Sequence, residues 1–178
     1  MVGKTLTGKT TLAKSLVRQL KPARTFIVDV TGEYAPLASA STRVLHFDDE
    51  DDPWRLAEEA WLQATPGRKT LIVFDEMEFY GKRPQDVEWL SKIYLVGRHW
   101  GISTIAIGKR FVGKTRWEGL PSLPLSQVSS LYVFQDTAPG DLDYLSSYLS
   151  REVVDRIQLL RPADPRAGRG GEYFKIDF

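Results

Sequence analysis

Gly3-Lys4-Thr5-Leu6-Thr7-Gly8-Lys9-Thr10 stands at the start of the chain and fits the pattern G-x-x-x-x-G-K-[ST]. In that pattern the glycines let successive backbone N–H groups curl around phosphate oxygens. Lys9 then neutralises the β- and γ-phosphate oxygens of ATP, the Thr10 hydroxyl joins the shell of a Mg²⁺ ion, and Thr11 stands near the α-phosphate. The helix that begins here adds its positive dipole end and its free N–H donors. The same pattern recurs at Gly108-Lys109-Arg110-Phe111-Val112-Gly113-Lys114-Thr115. A phosphate loop needs a helix behind it, and the second copy meets Gly119, Pro121 and Pro124 almost at once. The first copy runs into an amphipathic stretch with Leu12, Leu16 and Leu20 on one face. The first is therefore the phosphate loop, and the second reads as a basic surface loop.

Downstream, short apolar runs alternate with amphipathic stretches. Thr25–Val30, Arg43–Phe47, Thr70–Phe74, Ile102–Ile107 and Leu131–Phe134 are β-branched and nearly continuous, as strands buried on both faces are. Helical spacing marks Leu56, Ala60 and Leu62 after Pro53, then Val87, Leu90, Ile93 and Tyr94. It recurs at Leu142, Leu145 and Leu149, and again at Val153, Ile157 and Leu160. Pro162, Pro165 and the Ala167–Gly171 segment break the pattern before a last strand at Tyr173–Phe178. Strands alternating with helices predict an α/β fold: one domain over residues 1–178, with helices on both faces of a mostly parallel sheet. A phosphate loop normally follows a buried strand of about five residues, yet only Met1 and Val2 precede Gly3. The expectation is that the native protein carries residues upstream; otherwise the sheet lacks most of that strand.

Thr70-Leu71-Ile72-Val73-Phe74-Asp75-Glu76 is the second strong signal. The strand delivers Asp75 to its C-terminal edge, where a carboxylate can hold Mg²⁺ through water beside Thr10. Glu76 is then placed to polarise an attacking water. A hydrophobic strand ending in Asp-Glu is common by itself; paired with a phosphate loop it points to NTP hydrolysis.

The 178 residues carry 24 Lys and Arg against 23 Asp and Glu, which excludes a polybasic coat for nucleic acid or membrane. No cysteine means no disulfide framework, thiolate nucleophile or Cys-ligated zinc. No apolar run approaches the roughly 18–20 residues of a membrane span. His46 and His99 have no metal-site spacing, and the five Trp read as core or interface residues. Asn is absent too, and Arg outnumbers Lys, a composition that suits a hot source or a GC-rich genome.

With these motifs in place, the chain resembles the FtsK/HerA superfamily of ring-forming DNA-pumping ATPases over nearly its whole length. Asp29-Val30-Thr31-Gly32-Glu33-Tyr34 resembles that family's Asp-x-x-Gly-Glu-Tyr segment. Gly97-Arg98-His99-Trp100-Gly101-Ile102-Ser103-Thr104-Ile105-Ala106-Ile107 resembles its Arg-x-x-Gly-ϕ-Ser/His stretch leading into the sensor strand. Small size without appendages looks most like the genome-packaging ATPases of tailless, membrane-containing icosahedral viruses. The resemblance implies a P-loop fold of the additional-strand, catalytic-glutamate type, with Lys9, Thr10 and Asp75 organising Mg²⁺-ATP and Glu76 positioning water. Arg98 is then the candidate finger that reaches a neighbouring subunit's nucleotide. The family usually has a polar sensor, most often Gln, where this chain has Lys109; that lysine can meet the γ-phosphate as a point charge or be diverted to DNA.

The implied partners are double-stranded DNA, copies of the chain in a pentameric or hexameric ring, and capsid or membrane-vertex proteins. The implied setting is the host cytoplasm or the packaging vertex. DNA needs only a few cations per subunit, because a ring multiplies them. The candidates are Lys82 and Arg83, with Arg110, Lys114 and Arg116 around Trp117; solvated loops are the plain alternative. Two other functions stay open. One is a P-loop small-molecule or nucleotide kinase, with the Arg-rich Arg161–Arg169 segment as a lid. The other is a phage-assembly or conjugative DNA-export ATPase.

Overall fold

Each apolar run becomes a strand and each amphipathic stretch a helix, in the order the sequence predicts. The computed structural model describes residues 1–47, 52, 54–79, 84–112, 119–136 and 138–178. Helix α1 (Lys9–Leu20) leads to strand β1 (Arg24–Asp29), β2 (Thr42–His46), α2 (Trp54–Gln63), β3 (Thr70–Phe74) and α3 (Pro84–Ser91). A π-helical turn, Lys92–Val96, and a 3-10 turn, Gly97–Trp100, continue α3 into β4 (Ile102–Ala106). Then come α4 (Ser122–Ser126), β5 (Ser130–Phe134), α5 (Pro139–Ser146), α6 (Arg151–Gln158) and β6 (Tyr173–Asp177).

Four strands pair in parallel in the order β2-β1-β3-β4, while β5 and β6 form an antiparallel hairpin. Val2 joins the two sheets by bridging Gly108 and Val133, both in parallel. Its N–H donates to the Tyr132 carbonyl at 2.9 Å and its carbonyl accepts from the Phe134 N–H at 2.8 Å. On the other side, the Gly108 N–H reaches the Met1 carbonyl at 3.0 Å, and the Met1 nitrogen reaches the Ala106 carbonyl at 2.7 Å. Met1 and Val2 thus occupy the place of the strand that leads into the phosphate loop. A cavity of about 540 Å³ is lined in part by Met1, Leu16, Ile105 and Tyr132.

Helices cover both faces, as predicted. Phe26, Val28, Ile72 and Phe74 point into a core with Trp54, Ala57 and Ala60 of α2 and Leu90 of α3. The alternate residues Ile27, Leu71 and Val73 pack with Ala13 and Val17 of α1. That alternation is why β1 and β3 read as unbroken apolar runs. Three residues depart from the expected helical faces. Leu62 is 77% exposed, because Trp54, Leu56, Ala57 and Ala60 form the buried side of α2 instead. Leu20, at the last turn of α1, and Val87 are exposed as well.

Candidate nucleotide-binding site

The loop between Val2 and α1 curls at the C-terminal edge of the sheet. Gly3 has φ +149°, and a Cβ there would stand 2.7 Å from the Phe134 Cβ, so only glycine fits against β5. Gly8, at φ +99°, precedes α1 without a side-chain cap, which leaves the helix's first N–H groups to a ligand. Thr7 Oγ1 donates to the Lys4 carbonyl at 2.7 Å. Lys9 Nζ donates to the carbonyls of Gly3 and Lys4 at 2.7 and 2.6 Å. The lysine therefore fills the loop from within. Burial pulls its pKa down, against the opposing charges of Glu76 and Glu78. Leu6, at φ +63° and 80% exposed, forms the tip. Lys4 and Thr5 are exposed beside it, and Thr11 is exposed on the first turn of α1.

Two carboxylates close the floor. Asp75 follows β3, is 1% exposed, and takes a hydrogen bond from Thr31 Oγ1 at 2.9 Å. Burial pushes its carboxyl up to about 6, with Thr31 opposing and the charges of Glu76, Asp29 and Glu33 adding. Asp29 at the end of β1 accepts the N–H groups of Glu33 and Tyr34 at 3.2 and 2.8 Å. That turn, with Gly32 at φ +74°, is what the Asp-x-x-Gly-Glu-Tyr segment builds. It aims Thr31 at Asp75 and buries Tyr34 beside Thr10, with the Asp75 charge also acting on its hydroxyl. Lys14 of α1 ties the turn down through Glu33 at 3.3 Å.

The Thr10 hydroxyl and the Asp75 carboxylate are hard oxygen donors of the kind Mg²⁺ takes alongside water and phosphate. Among the described residues no three or more His, Cys, Asp or Glu side chains form a metal cage. A site completed by nucleotide and water needs none.

Glu76 adopts φ +46°, uncommon for a residue with a side chain, and its Oε2 lies 2.6 Å from Lys109 Nζ. Lys109, just beyond β4 and expected to meet a γ-phosphate or DNA, is thus paired with the Glu76 carboxylate. Its backbone N–H donates to Glu78 Oε1 at 2.8 Å. Glu78, whose carboxyl is raised by burial, is a member of the site that the sequence reading missed. The only signal for it was its place two residues after Glu76.

The C-terminal segment forms another wall. A Cβ on Gly171 would lie 1.8 Å from the Thr7 carbonyl oxygen, and a Cβ on Gly8 would lie 3.1 Å from the Gly171 nitrogen. A small hairpin carries Gly171 there. Asp164 and Arg169 exchange backbone hydrogen bonds of 2.8 and 2.9 Å, and the Arg161 guanidinium pairs with Glu172.

The other predicted residues lie elsewhere. Arg98 is exposed on the 3-10 turn before β4, at the sheet edge opposite the phosphate loop. Arg110 pairs with the fully buried Asp141 at 3.4 Å, and Asp141 also accepts the Val112 N–H at 2.7 Å. Lys82, Arg83, Lys114 and Arg116 lie outside the described residues, as does the end of the second glycine-lysine pattern.

No family model and no curated protein matches the chain by sequence. Solved structures do match. The genome-packaging NTPase B204 of Sulfolobus turreted icosahedral virus 2, in complex with ATPγS, superposes with a TM-score of 0.66 at 20% identity, over 99% of this chain and 89% of that one. B204 of Sulfolobus turreted icosahedral virus, a DNA-packaging ATPase, gives 0.64 at 16% identity, over 97% and 93%. The cytoplasmic domain of the Type VII secretion ATPase EccC from Thermomonospora curvata gives 0.63 at 15% identity, over 99% of this chain but 24% of that one. At such identities the likeness shows the fold: this chain is folded, end to end, as the P-loop genome-packaging NTPases of those viruses are.

Proposed function

We propose that the chain is an ATPase that drives double-stranded DNA into a preformed viral capsid. The observation that carries the reading is the Asp75-Glu76 pair at the end of β3, in a fold whose phosphate loop holds Lys9 inside it. Loop N–H groups and Lys9 bind the β- and γ-phosphates, and Thr10 and Asp75 hold Mg²⁺. The ion, when bound, draws charge from the phosphate oxygens. Glu76 orients a water and takes its proton as the water oxygen attacks the γ-phosphorus and the bond to the departing ADP oxygen breaks. Positioning and charge stabilisation supply most of the acceleration in such a transfer. Arg98, exposed on the turn before β4 at the sheet edge opposite the phosphate loop, is the arginine offered to a neighbour's nucleotide in a ring of five or six copies. Lys82, Arg83, Lys114 and Arg116 are the cations offered to the duplex; Arg110 is engaged by Asp141 and contributes less.

The test is ATP turnover with and without duplex DNA, beside a measurement of particle size. Turnover that rises with DNA in a ring-sized species supports the motor. Phosphate transfer to a nucleoside or metabolite by a monomer would replace it with a kinase. Stimulation by single-stranded DNA alone would favour an export ATPase.

A further inference from the structure

We infer that Lys109 is a positioning residue that disarms Glu76 until a γ-phosphate takes the lysine away. The inference rests on the reading of Glu76 as the water-orienting group. Lys109 Nζ sits 2.6 Å from Glu76 Oε2, close enough for a charge-assisted hydrogen bond. The Glu76 side chain is 15% exposed, so this pair is weakly screened. A carboxylate held by an ammonium is a poorer acceptor for a water proton.

The lysine's surroundings allow it to change partners. Its backbone is fixed, since its N–H is bonded to Glu78 Oε1 at 2.8 Å. Gly108 before it has no room for a side chain, because a Cβ would meet Leu120 at 2.7 Å and Glu78 at 3.0 Å. The ammonium itself is on a flexible stem, 38% exposed, over the Phe79 ring at 5.5 Å. It therefore pivots about a rigid base. The other cation of the site, Lys9, is occupied by loop carbonyls. Asp75, Glu76 and Glu78 carry three acidic groups against Lys9 and Lys109. A γ-phosphate brings more negative charge than Glu76 does, and so competes for Lys109. When the ammonium moves to it, Glu76 is released to water in the same event. ADP offers no γ-phosphate and leaves the pair closed.

The closing experiment is a double-mutant cycle in nucleotide affinity, using the full chain with ATPγS and with ADP. E76Q removes the charge that holds Lys109, so ATPγS affinity is expected to rise about tenfold while ADP affinity stays the same. In the K109M background the same change should bring no gain, and K109R should restore part of it. An E76Q gain that persists with K109M, or is equal for ADP, overturns the exchange. Failure of the underlying reading looks different, because E76Q would then hydrolyse ATP at the wild-type rate. Circular dichroism and melting of each variant check that the fold is kept.

Discussion

Replacing Gly171 by alanine tests whether the C-terminal hairpin is a wall of the nucleotide site. The added Cβ would stand 1.8 Å from the Thr7 carbonyl oxygen, 2.8 Å from the Thr7 carbonyl carbon and 3.2 Å from the Ala163 nitrogen. All three are backbone atoms, so no flexible side-chain end can yield. Reaching ordinary contact at 3.4 Å requires the hairpin and phosphate loop to part by about 1.6 Å. Overpacking of this kind costs about 1–3 kcal/mol, and in a chain of this size each kcal/mol lowers Tm by about 2–4 °C. The larger effect should fall on ATP. Thr7 is 2% exposed and fixed to the Lys4 carbonyl, so its displacement distorts the N–H cradle. A misplacement near 1 Å costs on the order of 100-fold in rate. The assay is ATP affinity by calorimetry, ATP turnover, and melting, with G170A as the control. At Gly170 a Cβ would meet nothing within 4 Å, so that variant should bind ATP and melt as the wild type does. If G171A matches G170A in all three measurements, the hairpin does not abut the loop and the reasoning fails.

Other expectations follow from the same geometry. Burial raises Asp75 from 3.8 to about 6, so without nucleotide its contribution to stability falls as pH rises between those values and stays lower above them. D75N should therefore raise Tm at pH 7 by a few degrees and flatten that stretch of the pH profile, while weakening Mg²⁺-ATP binding. A lower Tm at pH 7 would contradict the burial argument. In the wild type, Mg²⁺-dependent ATP binding should weaken below pH 6, as a titration at several pH values would reveal. R98A should lose hydrolysis by about 10³-fold or more while keeping ATP affinity, and normal turnover would remove Arg98 as the finger. D141A strands Arg110 and the Val112 N–H beside a fully buried position, for an expected loss of about 2–4 kcal/mol in denaturant unfolding. A loss under 1 kcal/mol would mean that the pair is solvated.

Much of this fold was legible because its signals are local and redundant. The buried strands β1 and β3 announce themselves as unbroken apolar runs, and both ends of the nucleotide site are written as short contiguous motifs. Choosing between the two glycine-lysine patterns took only the prolines after the second. What escaped reading was what depends on contact between distant segments. Leu62 looks like a core residue by spacing, yet Trp54 and Ala57 hold the buried face of α2. Glu78 carries no pattern of its own and matters only because β4 brings Lys109 to it. Gly171 looks like one more glycine in a loop until the chain folds it onto Thr7. The Lys109–Glu76 pair joins residues 33 positions apart, and nothing in either neighbourhood foretells it.

Val2 has a further consequence. Its backbone is shared between two bodies, bonded to the hairpin through Tyr132 and Phe134 and bridged to the four-stranded sheet at Gly108. The next residue is Gly3, which can flex where others cannot and which also rests on Phe134. Any change in the splay of hairpin against sheet is thus delivered to the first turn of the phosphate loop.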